Sequence, residues 1–133
     1  MITTHQARAM IAAAEARARE IGVPVNVAVL DGGAHLKAFS RMDGAVLGSI
    51  DLAAGKARTA VLFNAASEAV WEYCKPGAPA PGLENSNGGL VVFAGGLPVT
   101  GPDGTQIGAV GVSGGAVHQD LDIANAALAA LTD

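Results

Sequence analysis

The sequence predicts an α+β domain, with helices packed against an antiparallel sheet. Tight turn signals separate extended runs twice, at Asp31-Gly32-Gly33 and at Thr100-Gly101-Pro102-Asp103-Gly104, and such turns join antiparallel neighbours. Amphipathic helical patterns stand at both ends and in the middle, so each apolar face of the sheet has a partner. No internal repeat is visible, and 133 residues suit a single domain, 1–133, with a core of its own.

Each element has its own signal. Thr3-Thr4-His5-Gln6 reads as a capping box, with Thr3 as N-cap and Gln6 as the third helical residue. Ala7, Met10, Ile11, Ala14, Ala18 and Ile21 follow at helical spacing, until Gly22 and Pro24 end the helix. Val25 to Leu30 is a strand with Val25, Val27 and Val29 on one face. The chain returns as a second strand, Ala34 to Arg41, with His35, Lys37, Phe39 and Arg41 on one face. That mixed face either meets solvent or lines a pocket or interface. Beyond Met42-Asp43-Gly44 a helix runs from Ala45 to about Phe63, and its Ala53, Ala54, Gly55 and Ala57 suit close packing on the sheet. Ser67 can cap a short helix carrying Trp71 and Tyr73.

Lys75 to Gly89, KPGAPAPGLENSNGG, is a long loop rich in Pro, Gly and Asn. Loops of this length are uncommon in compact domains and often functional, so it reads as a shaped lid or rim. Three strands are expected after it: Leu90 to Ala94, Leu97 to Val99 beyond the Gly95-Gly96 break, and Thr105 to Ser113. The final helix runs from Val117 to about Leu131, with Leu121, Ala124, Ala127, Leu128 and Leu131 as its apolar stripe and Asp120 and Asp122 at its positive end. The order is helix, two strands, helix, long loop, three strands, helix.

Composition narrows the function classes. Half the residues are hydrophobic but only 4% are aromatic, so the core is built from Ala, Val, Leu and Ile. The net charge is −4 with no basic cluster in the sequence, which argues against nucleic acid. Cys74 is the only cysteine, which excludes an internal disulfide and suits a reducing compartment. The opening MITTHQARAM lacks the pattern of a signal peptide, and no apolar run is long enough to span a membrane. The expectation is a cytoplasmic protein with no membrane partner.

The richest stretch for chemistry is Gly108 to Asp120, GAVGVSGGAVHQD, a strand that feeds a helix N-terminus. Backbone N–H groups are free there, so Ser113, Gly114 and Gly115 can hold an oxyanion or a cofactor group. His118, in the same first turn, is a candidate base or metal ligand, or else a surface histidine. His5, in the first turn of the first helix, is a second candidate metal or haem-iron ligand, or an exposed terminal residue. Lys56 follows an alanine-rich turn and either points into a site or is solvated. Glu84 can serve as acid, base or ligand. Asn85 and Asn87 can orient a carbonyl or carboxylate, although Asn-Gly is also an ordinary turn. Arg41 or Lys56 can hold an anionic group. The glycines at 108, 111 and 114 lie within a strand and make no dinucleotide fingerprint, and there is no P-loop, paired-cysteine zinc motif, Cys-x-x-Cys-His or Gly-x-Ser-x-Gly elbow.

Several segments together resemble the GlcG/HbpS-type haem-binding family: Val27-Ala28-Val29-Leu30-Asp31-Gly32-Gly33-Ala34-His35-Leu36, Arg41-Met42-Asp43-Gly44-Ala45, Gly48-Ser49-Ile50 and Lys56-Ala57. Gly95-Gly96-Leu97-Pro98-Val99 and Gly108 to Gly115 with Gln119-Asp120 extend the likeness over nearly the whole chain, which also resembles the C-terminal domain of PduO-type proteins. The resemblance implies a profilin-like three-layer α/β/α fold around a five-stranded antiparallel sheet, homo-oligomerisation, and in some members haem held by histidine. Two functions follow as expectations. One is a binding protein for haem or another small ligand, with His5 or His118 as ligand. The other is a small catabolic enzyme acting on a polar or carboxylated metabolite, with His118, Glu84 and Lys56 as its catalytic groups.

Overall fold

The computed structural model describes residues 1–131. The elements are α1 (Thr4–Ile21), β1 (Asn26–Asp31), β2 (Leu36–Arg41), α2 (Ser49–Phe63), α3 (Ser67–Cys74), a 3-10 turn (Leu83–Asn85), β3 (Gly96–Thr100), β4 (Gln106–Ser113) and α4 (Val117–Ala129). The capping box that starts α1 is formed in full. The Gln6 amide donates to Thr3 Oγ1 at 3.0 Å, and the Thr3 amide donates to Gln6 Oε1 at 2.9 Å. Gly22 ends the helix in the left-handed conformation, φ 71°.

The strands form one antiparallel sheet in the order β2-β1-β4-β3. Alternation splits its side chains between two cores. Val25, Val27, Val29, Val110 and Val112 pack with Met10, Ala14, Ile123 and Ala124 beneath α1 and α4. Leu30 and Ala109 pack with Ala57, Ala60 and Val61 beneath α2. Helices therefore cover both faces of the sheet. α2 lies against β1, β3 and β4, which leaves β2 as an open edge.

Gly111 is what lets α2 come so close. A Cβ there would stand 2.0 Å from the Ala53 carbonyl oxygen and 2.6 Å from the Ala57 nitrogen. The small residues of α2 place helix backbone almost on strand backbone.

The expected five-stranded sheet is corrected to four strands. Leu90 to Ala94 is the segment that does not join. Its backbone is satisfied elsewhere: the Leu90 amide donates to the Glu84 carbonyl at 2.8 Å, and the Val91 amide donates to Thr59 Oγ1 at 3.0 Å. Val91 also fills the space above Gly55, where a Cβ would stand 2.5 Å from Val91 Cγ2. The run is apolar because Leu90 and Val92 pack against Val70 and Cys74 of α3 while Val91 lies over Gly55 of α2, not because it lies in the sheet. Ser67 differs too. Ala66 is the N-cap of α3, while Ser67 Oγ accepts from the Gly96 amide at 2.9 Å and donates to the Phe93 carbonyl, tying α3 to the entry of β3.

Arg17 of α1 reaches Asp122 of α4 with two bonds, at 3.1 and 3.0 Å. The bonds from Arg17 hold the Asp122 carboxyl below its ordinary range. Asp31 and Asp103 are lowered as well, by hydrogen bonds from His35 and Thr105 respectively. A carboxyl lowered by folding stabilises the protein fully above its unfolded value of 3.8 and loses that effect as pH falls through the lower folded value. The urea midpoint should therefore decline on acidification below about pH 4, and Asp122→Asn should shallow that decline. Gly111→Ala should cost about 3 kcal/mol in urea unfolding. Gly48→Ala, where a Cβ meets nothing within 4 Å, should leave the midpoint nearly unchanged.

Candidate functional site

Lys56 stands at the centre of the polar interior. It is 1% exposed, on α2, and its Nζ donates to Asp120 Oδ2 at 3.0 Å and to the Val112 carbonyl at 2.9 Å. Asp120, 2% exposed on the first turn of α4, accepts the Gly115 amide at 2.9 Å with its other oxygen. The lysine runs past Gly95 and Gly96. A Cβ on Gly95 would lie 3.0 Å from Nζ and 2.5 Å from the Val112 carbonyl oxygen, and one on Gly96 would lie 2.4 Å from the Lys56 carbonyl oxygen. The paired glycines leave the passage that the side chain fills. Burial pulls the Lys56 ammonium below the ordinary lysine range, while the bond and charge of Asp120 and the charge of Glu68 oppose that shift.

The other candidates lie apart from this pair. Ser113, Gly114 and Gly115 line a cleft of about 290 Å³ with Ser49 and Leu52 at the start of α2. The Gly115 amide is already committed to Asp120. His118 is exposed on the first turn of α4. Glu84 lies in the 3-10 turn, where its Oε1 is buried without a hydrogen-bond partner. Cys74 sits against it, and burial, followed by the Glu84 charge, pushes the thiol pKa up. Asn85 is exposed. Asn87 is exposed with φ 55°, and its carbonyl accepts from Arg58 Nη1 at 2.8 Å. Arg41 lines a separate cleft of about 330 Å³ with Glu15, Arg19, Met42 and Asp43. His5 is exposed on the first turn of α1. Within one chain, then, Lys56 meets Asp120 and Gly115, whereas His118, Glu84 and Asn87 do not join it around a common cavity. Among the described residues no group of three or more His, Cys, Asp or Glu side chains could hold a metal ion.

Sequence reasoning passed over Asn26 and Ser49. Asn26 is fully buried on β1, opposite Ser113 of β4, and its Nδ2 donates to Ser49 Oγ at 2.6 Å. Ser49 spends its own proton on the Val46 carbonyl, which fixes the orientation of the Asn26 amide and leaves Oδ1 buried without a partner. The signal was an Asn inside an apolar strand.

A family model described as haem degrading protein HbpS-like matches residues 2–129. The chain belongs to the HbpS-like family. A 15.0 kDa protein of the dhaT-dhaS intergenic region in Citrobacter freundii is 43% identical, across 96% of this chain and 89% of its own length. Among solved structures, the PduOC:heme complex matches with a TM-score of 0.93 at 39% identity, covering 98% of this chain and 95% of that one. A double mutant of HbpS from Streptomyces reticuli matches with a TM-score of 0.90 at 34% identity, covering 99% and 88%. The α+β fold with four antiparallel strands, and haem as a ligand at the level of the family, agree with these likenesses.

Removing one partner of a buried ion pair strands the other charge. Asp120→Asn and Lys56→Met should each lower stability by about 3–5 kcal/mol in urea unfolding. The Lys56→Met/Asp120→Leu double variant should cost clearly less than the sum, since neither charge is then left alone.

Proposed function

We propose that this HbpS-like chain is a binding protein for haem or a closely related small ligand, with a histidine as iron ligand. The observation that carries the reading is its match over 98% of its length to a protein solved as a haem complex. The residues present fit such a group. His5 and His118 are both exposed and each stands on the first turn of a helix, so an imidazole can reach an iron without unfolding. Thr4 and Arg8, which bracket His5 on α1, line a cleft of about 390 Å³ with Ile11, Ala12 and Phe39. That volume falls within the roughly 300–1,000 Å³ usual for small-ligand sites. Bound haem would supply an iron centre for ligand binding or redox chemistry. The protein's part is to donate the imidazole, orient the ring and limit water.

The binding reading is favoured over the catabolic enzyme because Lys56 is enclosed and already paired, with no face to offer a substrate. We extend the proposal to a homo-oligomer. Four of the five aromatic residues, Phe63, Trp71, Tyr73 and Phe93, are exposed, and Phe63 and Tyr73 line an apolar groove of about 210 Å³. A cytoplasmic location belongs to the same proposal. It is supported by the single free thiol, and among the described residues no helix is long and apolar enough to cross a membrane.

Titration of the purified protein with hemin should produce a saturable Soret band distinct from that of free hemin. The band should shift or vanish in either His5→Ala or His118→Ala, and persist in the other. A Soret band unchanged in both variants and in their double would reject ligation by His5 and His118. The absence of any saturable band in the wild type would reject haem binding itself.

A further inference from the structure

The cleft of about 290 Å³ between the start of α2 and the end of β4 contains a buried side chain that the fold leaves without a partner. Ser113 lines this cleft and is only 4% exposed, yet its hydroxyl makes no hydrogen bond among the described residues. Nor is the oxygen sealed in. Among the described residues the side-chain atoms both sealed and unpartnered are Asn26 Oδ1, Glu68 Oε2 and Glu84 Oε1, so Ser113 Oγ opens on the cleft. Ser49, the other hydroxyl there, is committed: it accepts from Asn26 Nδ2 at 2.6 Å and donates to the Val46 carbonyl. Asn26 stands directly opposite Ser113 in the sheet. Its bond to Ser49 therefore fixes the start of α2 against the end of β4, and the two walls of the cleft are held in place.

Backbone donors join the hydroxyl. Gly48 and Gly114 both line the cleft, and neither amide has a hydrogen-bond partner among the described residues. Gly48 is the N-cap of α2, and no side chain caps that helix. Gly115, also on the cleft, directly precedes Ala116, the N-cap of α4. The positive ends of two helices thus border one cleft. Among the described residues no charged side chain lines it. Asp51, in the first turn of α2, is exposed outside the lining, and Asp120 is neutralised by Lys56. The polar groups left free are donors, so a ligand must bring acceptor oxygens, and the helix ends favour a negative charge on them. Without a fixed cation, one charge suits the cleft better than two. Val46 and Leu52 offer apolar contact to a short tail.

We infer that the cleft between α2 and β4 binds a small monocarboxylic acid, whose carboxylate takes hydrogen bonds from Ser113 Oγ and from the Gly48 and Gly114 amides. Asn26 is a positioning residue that acts through Ser49. The volume lies at the lower end of small-ligand sites, which limits the acid to a few carbons. The site is independent of the haem reading above.

The test follows the backbone amides by proton–nitrogen NMR as butyrate is added, with butyramide, inorganic phosphate and sodium chloride in parallel. Butyrate should shift the Gly48 and Gly114 amides saturably, butyramide should bind more weakly, and chloride should not reproduce the shifts. Ser113→Ala should weaken butyrate about tenfold at a near-wild-type urea midpoint, while Lys75→Ala, at an exposed residue outside the cleft, binds as wild type does. If Ser113→Ala does not fold, Gly48→Pro decides. It deletes the free amide at a residue whose φ is already −60° and removes no hydrogen bond within the protein, and it should weaken butyrate to a similar extent. Wild-type affinity for butyrate in the folded variant would overturn the site. So would shifts that never saturate, or that chloride matches. Saturation by phosphate and not by butyrate would overturn the carboxylate assignment. Hemin takes no part in the test, so this result and the haem result stand or fall separately.

Discussion

The fold hangs on one buried ion pair. Lys56 begins on the α2 side of the sheet and ends at Asp120 of α4, on the other side, passing the gap at Gly95-Gly96 and touching the Val112 carbonyl. Taking both charges out of water costs several kcal/mol each, and attraction alone need not offset that. Additional hydrogen bonds tip the balance. Asp120 accepts from Gly115 as well as Lys56, and Lys56 donates to Val112 as well as Asp120. The geometry requires α2, the end of β4, the entry to β3 and the start of α4 to be in register at the same time. An all-apolar contact would tolerate sliding between layers; this pair does not.

That constraint explains the glycines around it. Gly95 has φ 125° and no room for a side chain beside Nζ, and Gly96 lies against the backbone of Lys56 itself. Gly111 brings the α2 backbone onto β4 next to Val112, whose carbonyl Lys56 uses. A lysine side chain reaches only so far, and the small residues on every side let its ammonium arrive. The same closeness seals it from ligand. Residues that would make a reactive site in an open cleft serve here as an internal fastener.

Local chemistry in the sequence specified most of the architecture. Thr3 and Gln6 announced α1, and Asp31-Gly32-Gly33 and Thr100 to Gly104 announced the two hairpins, because caps and turns depend on neighbours in the chain. Leu90 to Ala94 misled because an apolar run carries no period that separates a sheet strand from a segment lying over a helix. Only the tertiary partner, Thr59 with its hydroxyl and Gly55 with its missing side chain, distinguishes them. Lys56 was legible as special and illegible in role. Its flanks, Ala53, Ala54, Gly55 and Ala57, are the marks of a buried helix face, and a lysine there must find a counter-charge. Asp120 is 64 residues away, a pairing that no local pattern contains.

The distribution of the remaining charge sets the kind of anion the surface can accept. A chain of net charge −4 repels large polyanions at a distance, and Arg8, Arg19, Lys37 and Arg41, which have no ion pair among the described residues, are divided between two clefts. At physiological ionic strength the field decays over about 8 Å, so these cations act only on what has already come close. A nucleic acid backbone needs a continuous positive track, and four cations interrupted by Glu15 and Asp43 do not make one.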